Sequence, residues 1–230
     1  MQMEILSIGK TLSYEGLSIV NCEMSQLSKE VETKAYDAII ISGGDGTIRR
    51  VMKTLQDHET LPPFVINATG SFNVIAKMHR VAKLPQVLEA LSQKKPHVTK
   101  KQKLYGLNEE VFLFSAGNMG DLQHIFLSET LRFGWLKHGM LKYLLATLFL
   151  LPVHLIMTPL MLLSSQRFFL FMPARFLSKF GSFRGVIEKP FTIDLQNHYN
   201  LIELDGDVVT VEASKLHIKV LREIEILTLP

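Results

Sequence analysis

The chain has 230 residues and a net charge of +3, and this length suffices for one large domain or two small ones. Its 25 Lys and Arg residues nearly balance 22 Asp and Glu residues, which argues against a dedicated nucleic-acid binder. The single cysteine, Cys22, excludes an internal disulfide framework and a cysteine-rich metal site. The N-terminal sequence has no signal-peptide pattern, so we expect a cytoplasmic protein.

The first hundred residues alternate between strand-like and helix-like segments. Hydrophobic periodicity predicts strands over residues 3–9, 17–24, 37–42 and 62–68. It predicts helices over residues 25–36, 48–58 and 73–82, the first of them capped by Ser25. Strands alternating with helices predict a parallel sheet with flanking helices, which is an α/β fold.

The pattern changes after residue 100, where strand-like segments dominate. They cover residues 109–117, 190–196, 199–207 and 215–229. Residues 92–103 are polar and basic, and we place a domain boundary near residues 95–105. We therefore predict an α/β nucleotide-binding domain over residues 1–100 and a β-rich domain over residues 101–230. The second domain carries a helical insertion over about residues 133–180.

Residues 140–163 are almost entirely apolar and long enough to suggest a membrane span. Pro152 and Pro159 interrupt this stretch and would kink or end a helix, so we do not predict a span. Basic side chains flank it on both sides: Lys137, His138, Lys142, Arg167, Arg175 and Lys179. This arrangement suits a segment that lies on an anionic bilayer surface. A buried pair of core helices is the alternative.

The string Gly43-Gly44-Asp45-Gly46-Thr47 follows a buried strand and precedes a helix. Such a turn lies at the carboxyl ends of parallel strands, where ligands bind, and the N–H groups of a helix start suit phosphate. Glycines there permit positive φ and let a phosphate approach the main chain. Thr47 adds a hydroxyl, and Asp45 has the chemistry to hold Mg²⁺ or to orient a phosphoryl group. An ordinary glycine-rich turn is the alternative.

With three further motifs, this string resembles the diacylglycerol kinase-like lipid kinases. Residues 68–77, ATGSFNVIAK, are similar to the second nucleotide loop of that family, with matches at Gly70, Ser71, Asn73 and Ala76. Residues 112–121 and 136–145 resemble the strand, glycine turn and helix around the interdomain crossing. Residues 201–209, LIELDGDVV, lie where the family has Leu-Asp-Gly-Glu. The motifs follow the family's order over residues 36–145 and 190–230.

The resemblance implies a lipid kinase in which ATP, Mg²⁺ and a lipid hydroxyl meet. Residues 43–47 would hold the ATP phosphates, and Gly70, Ser71 and Asn73 would complete the nucleotide pocket. Asp207 stands at the position of the family's catalytic glutamate and would take the hydroxyl proton, with Asp205 beside it. No residue is assigned as a metal ligand. The implied location is the inner face of the membrane, on an anionic surface, and a homodimer is left open.

Several positions depart from the family pattern. Arg49-Arg50 replaces an Asn-Glu pair, Val74 replaces an aspartate, and the central segment that carries structural Mg²⁺ ligands has no counterpart. Two alternatives to an active lipid kinase follow. One is a diverged, weak or inactive member that binds nucleotide or lipid, and the other is a kinase of a soluble substrate.

Overall fold

The computed structural model describes residues 3–118, 166–176 and 178–230, together with single positions between 144 and 164. The chain forms two compact units, Met1–Leu104 with Leu221–Pro230, and Tyr105–Val220. The predicted domains were separated by a single cut after residue 100. In the structure, the C-terminal residues Leu221–Pro230 belong to the first unit instead.

The first unit contains the parallel sheet that the sequence predicted. Strands β1 to β4 pair with one another in parallel, and the final part of β14 pairs in parallel with β4. The order across the sheet is β2-β1-β3-β4-β14-β5. The strand bounds are β1 (Glu4–Ile8), β2 (Ser18–Cys22), β3 (Ala38–Gly43), β4 (Phe64–Ala68), β5 (Val98–Leu107) and β14 (Lys215–Thr228). The α/β fold is therefore confirmed.

Four helices of the first unit are described: α1 (Leu27–Thr33), α2 (Asp45–Leu55), α3 (Val74–His79) and α4 (Leu84–Ser92). The predicted cap by Ser25 is wrong, because Ser25 lies inside a short 3₁₀ turn and makes no capping bond. Helix α4 was not predicted. Helix α2 begins at Asp45 instead of residue 48, so the second half of the glycine string forms its first turn.

Burial explains why β3 and α2 hold that string in place. Residues 38–41 of β3 are completely buried, as expected for a parallel strand covered on both faces. Helix α2 buries Ile48, Val51, Met52 and Leu55, which lie on one face at helical spacing. The turn between them is thus anchored on both sides by the hydrophobic core.

The second unit is rich in β-strands, as predicted. One sheet has the order β13-β12-β7-β8-β10-β9. The strands first named here are β6 (Glu110–Phe112), β7 (Ser115–Gly117), β8 (Phe169–Phe171), β9 (Lys179–Phe180), β10 (Phe183–Arg184), β11 (Phe191–Asp194), β12 (Tyr199–Leu204) and β13 (Asp207–Glu212). Its core includes Phe112, Phe168, Leu170, Ile202 and Leu204.

The second half of the basic stretch, residues 98–103, belongs to strand β5. In it the buried side chains of Gln102 and Leu104 alternate with the exposed side chains of Lys101 and Lys103. This alternation is typical of a strand with one solvated face. The abundance of lysine concealed the period-2 pattern.

Part of the predicted insertion lies outside the described residues. This applies to the motif over residues 136–145 except its last two positions, and to Lys137, His138 and Lys142. Among the described residues, no helix has the length and apolar character needed to cross a bilayer.

Candidate phosphate-binding site

Two glycine loops meet at the carboxyl ends of β3 and β4. We call residues 43–47 the first loop and residues 68–73 the second loop. The strand register places Gly43 opposite Ala68, and the Thr69 N–H donates to the Gly43 carbonyl at 3.1 Å. The predicted nucleotide-binding residues of both loops are therefore brought together within the first unit.

Close contact between backbones explains the glycines of these loops. A Cβ added to Gly44 would lie 3.1 Å from the Gly70 Cα, and one added to Gly70 would lie 2.5 Å from the Gly44 Cα. The loops therefore touch main chain to main chain. None of the glycines in either loop has a positive φ, so it is the close approach of the two backbones that requires glycine here.

Asp45 connects the first loop to helix α3. Its side chain is buried, and its carboxylate accepts hydrogen bonds from Val74 N at 2.8 Å and Ile75 N at 3.1 Å. Helix α3 has no side-chain cap of its own, so Asp45 satisfies its first N–H groups from a neighbouring helix. Burial raises the pKa of Asp45, against the opposing effect of these hydrogen bonds and of Lys77.

Asn73 closes the second loop. Its Oδ1 accepts from Gly70 N at 2.9 Å, and its Nδ2 donates to the Gly70 carbonyl at 2.6 Å. Its φ of +50° is one that asparagine tolerates better than most residues. Asn73 therefore shapes the loop with its own side chain, while Ser71 is exposed.

The start of α2 presents backbone N–H groups at the first loop. The Gly44 carbonyl accepts from Thr47 N at 3.0 Å and from Ile48 N at 3.1 Å, which begins the helix. The first N–H groups of any helix have no partner within it, and the helix dipole favours an anion there. Arg49 and Arg50, which replace the Asn-Glu pair of the family pattern, differ in exposure. Arg49 is buried, and Arg50 is exposed.

A cavity of about 610 Å³ adjoins the second loop at the end of β4. Asn67, Asn73, Lys77, Arg80 and Lys83 contribute its polar lining, and no carboxylate lines it. A pocket with three cations and no anion suits a negatively charged ligand. Sequence reasoning missed these cations, although Lys77 and Arg80 stand at helical spacing directly after the second loop.

In the second unit, Asp205 and Gly206 form the two-residue turn between β12 and β13. Their φ angles of +52° and +91° are those of a type I′ hairpin, which Asp-Gly favours. Asp207 is the first residue of β13, is half-buried and pairs with Leu204. The predicted role of Asp207 as the catalytic base therefore stays a prediction.

Although it belongs to this turn, Asp205 is buried. Its carboxylate accepts three backbone hydrogen bonds, from Leu113 N at 2.7 Å and from Phe114 N and Ser115 N at 2.9 Å each. Burial raises the pKa of Asp205 to about 7, despite the lowering effect of these bonds, and nearby Glu203 raises it further. Asp205 thus holds residues 113–115 against the hairpin, which differs from the catalytic role implied by the resemblance.

No group of three or more His, Cys, Asp or Glu side chains is arranged to hold a metal ion in the part of the chain that is described. Asp45 does not fit the role of Mg²⁺ ligand either, because both of its oxygens accept backbone N–H groups in a buried position. Mg²⁺ in phosphoryl-transfer sites is commonly bound by the phosphates, by water and by one or two carboxylates.

Comparison with known proteins finds a match over the stretch that contains both loops. Residues 13–104 match the family model of the diacylglycerol kinase catalytic domain. The resemblance predicted from the two loops is thereby confirmed for this kinase-like stretch. The later motifs, at residues 112–121, 136–145 and 201–209, lie outside the matched residues.

Individual relatives are distant. A protein of Streptococcus pneumoniae serotype 4 named "Putative lipid kinase" is 23% identical over 120 residues, which cover 51% of this chain and 40% of that protein. A structure titled as a diacylglycerol kinase from Bacillus anthracis str. Sterne has 19% identity and a TM-score of 0.41, covering 55% of this chain and 53% of that chain. The chain thus spans less than two thirds of the length of either relative.

Proposed function

We propose that the protein is an ATP-dependent lipid kinase that transfers the γ-phosphate to the hydroxyl of diacylglycerol or a related lipid. The observation that carries the proposal is the junction of the two glycine loops at the start of α2, within the kinase-like stretch. A polyphosphate is the ligand that such loops and a helix N-terminus accommodate best.

The first unit supplies the groups that would hold ATP. The first loop and the start of α2 offer backbone N–H groups, and the cavity beside the second loop adds Lys77, Arg80 and Lys83. Cations here would offset the phosphate charge in both the ground state and the transition state. Asp45 and Asn73 act as positioning residues, because they fix α3 and the second loop.

In this proposal Asp207 takes the proton of the lipid hydroxyl. Its carboxylate is one methylene shorter than the glutamate of the family motif. A Mg²⁺ ion bound with the nucleotide would supply charge neutralisation during transfer. Asp205 contributes by fixing the hairpin from which Asp207 begins β13.

A second candidate is a protein that binds nucleotide but transfers phosphate weakly or not at all. The observation in its favour is that Asp205, one of the two predicted catalytic acids, is buried and accepts three backbone N–H groups. Phosphoryl transfer to a soluble acceptor is a further outcome of the same experiment.

The test separates binding from transfer. ATP binding with Mg²⁺ is measured by calorimetry, and transfer is measured with labelled ATP and vesicles that contain diacylglycerol. We expect Gly70→Ala to weaken ATP binding at least tenfold, because a Cβ there meets the Gly44 backbone. We expect Asp207→Asn to reduce transfer at least 100-fold with ATP binding unchanged.

Asp57→Asn, an exposed change just beyond α2, is the matched control and should alter neither quantity. Binding of ATP without lipid phosphorylation would favour the second candidate. Phosphorylation of a soluble acceptor such as NAD under the same conditions would reject the lipid substrate. No ATP binding at all would reject both the proposal and the second candidate.

A further inference from the structure

We propose that the exposed apolar side chains described between residues 144 and 163 form a docking surface for an anionic lipid bilayer, together with a basic pocket that is lined in part by Leu163. The proposal extends the proposed function, because a lipid kinase must reach a substrate that lies in a bilayer. It concerns adhesion to the lipid surface and requires no catalysis.

Strands β7 and β8 hold together the described residues that flank this stretch of the chain. Strands β7 and β8 pair in antiparallel fashion up to Gly117 and Phe169. Beyond them, Asn118 N donates to the Phe168 carbonyl at 3.1 Å, and Asn118 Oδ1 accepts from Phe168 N at 2.9 Å. Arg167 Nη1 also donates to the Asn118 carbonyl at 2.8 Å. The described residues on either side of this stretch, Asn118 and Phe168, are therefore bonded to each other.

The large apolar side chains that the structure describes between residues 144 and 163 are exposed. Leu144, Leu148, Leu151 and Leu155 are 56%, 57%, 46% and 70% exposed, and each is helical. Phe149, which lies between them in the sequence, is also exposed, at 70%. Leu163 follows at 84% exposure. Exposed leucines at this density mark an interaction surface rather than ordinary surface scatter.

A basic pocket lies beside Leu163 and the described residues that lead into strand β8. This cavity of about 560 Å³ is lined by Leu163, Arg167, Lys179 and Arg184, with Asp194 as its one carboxylate. Asp194 already accepts a hydrogen bond from Gln196 N at 2.9 Å. Three cations against one anion leave the pocket positive, and it directly adjoins an exposed leucine.

Two exposed phenylalanines directly follow basic residues in the sequence. Phe176 is 90% exposed and Phe180 is 59% exposed. Phe180 follows Lys179 in β9, and Phe176 follows Arg175. Apolar and aromatic side chains that enter the acyl layer beside cations that meet headgroups are the signature of interfacial binding.

Charge complementarity selects the bilayer over another protein as the occupant. An apolar protein partner would leave the pocket cations without a counter-charge. An anionic bilayer satisfies both features at once, because its headgroups are negative and its interior is apolar. The proposed site therefore has two chemically distinct halves, the apolar side chains and the basic pocket.

The closing experiment is flotation of the full chain with vesicles of phosphatidylcholine, with or without 30% phosphatidylserine (about a third anionic lipid, enough for a negative surface), in the absence of ATP. We expect flotation with the anionic vesicles only. The double variant Leu148→Gln with Leu155→Gln should lose at least tenfold in partition. Leu201→Gln, on an exposed strand position at 50% exposure, is the matched control and should float like the parent chain.

The charged half is tested by Lys179→Gln, which should weaken the partition by about fivefold. Lys94→Gln removes an equally exposed charge from the first unit and should have no effect. Thermal melting and light scattering accompany each variant, so that misfolding and self-association are detected.

Three outcomes would overturn the proposal: no flotation of the parent chain, equal flotation on neutral vesicles, or full flotation of the leucine double variant. If that variant changes only the oligomeric state, the surface joins two copies of the chain and the bilayer assignment is wrong. Because no nucleotide is present, none of these results depends on kinase activity. A chain that floats but transfers no phosphate would reject the proposed function alone.

Discussion

At the scale of single residues, Asp205 shows how an acid in a kinase-like motif can act through the backbone. Its carboxylate is 3% exposed and accepts N–H groups from residues 113–115, about ninety positions earlier in the chain. The hairpin turn itself could be predicted from Asp-Gly. The three donors could not, because no local pattern encodes a contact over that separation.

This burial predicts a pH dependence of stability. The folded pKa of Asp205 is about 7, against 3.8 for a free aspartate, so the folded state binds its proton more tightly. The contribution of Asp205 to stability is therefore full below about pH 4 and is lost as pH rises towards 7. The slope is up to about 1.4 kcal/mol per pH unit.

Asp205→Asn removes this titration and leaves one backbone N–H opposite an amide donor. We expect the variant to be less stable than the parent at pH 4 by about 1–3 kcal/mol, and the difference to shrink as pH approaches 7. Urea unfolding at several pH values measures it, with Asp57→Asn as the exposed control. Parallel profiles for parent and variant would contradict the assignment.

At the scale of elements, the six-residue helix α3 depends on its neighbour. A helix this short is marginal on its own, and Asp45 of α2 accepts its first N–H groups across 29 and 30 positions of sequence. The sequence predicted both helices but assigned Asp45 to phosphate or Mg²⁺. Only the fold shows that its carboxylate is committed to the start of α3.

We predict that Asp45→Asn destabilises the protein by about 1–2 kcal/mol. The amide keeps one acceptor but turns a donor toward the second backbone N–H. Hydrogen exchange at Val74 and Ile75 of α3 should accelerate more than exchange in α2. The same substitution at Asp57, which is exposed, supplies the reference. Unchanged protection at those two amides would show that α3 does not need the cap.

At the scale of the whole molecule, strand β14 contributes to both compact units. Its residues up to Val220 belong to the second unit, and those from Leu221 onward belong to the first. In the first unit Ile226 pairs with Phe64, and Arg222 Nη2 donates to the Glu59 carbonyl at 2.8 Å. The sheet order places β14 between β4 and β5.

Truncation after residue 220 should therefore unfold the first unit although the glycine loops are intact. It removes the buried side chains of Ile224, Ile226 and Leu227, each of which contributes about 1.5–3 kcal/mol. That loss is comparable with the whole stability of a domain. Far-UV circular dichroism and ATP binding would report it. Removal of residues 229–230 alone should change stability by less than about 1 kcal/mol, and a folded first unit in the longer truncation would refute the prediction.

The sequence by itself determined the elements whose patterns are local. The apolar run of β3, the apolar face of α2 and the two glycine strings predicted the α/β fold and the position of the candidate site. Lysine-rich β5 escaped prediction, because its polar side chains concealed the alternation.

Only the tertiary structure decided which contacts and hydrogen bonds individual residues make. It set the contact of Gly44 with Gly70, the attachment of Asp45 to α3 and the burial of Asp205. It also placed the end of β14 in the first unit. The physical reason is the same in each case. Periodicity reports which side of an element is buried, whereas close approach and hydrogen bonding between distant residues exist only once the chain has folded.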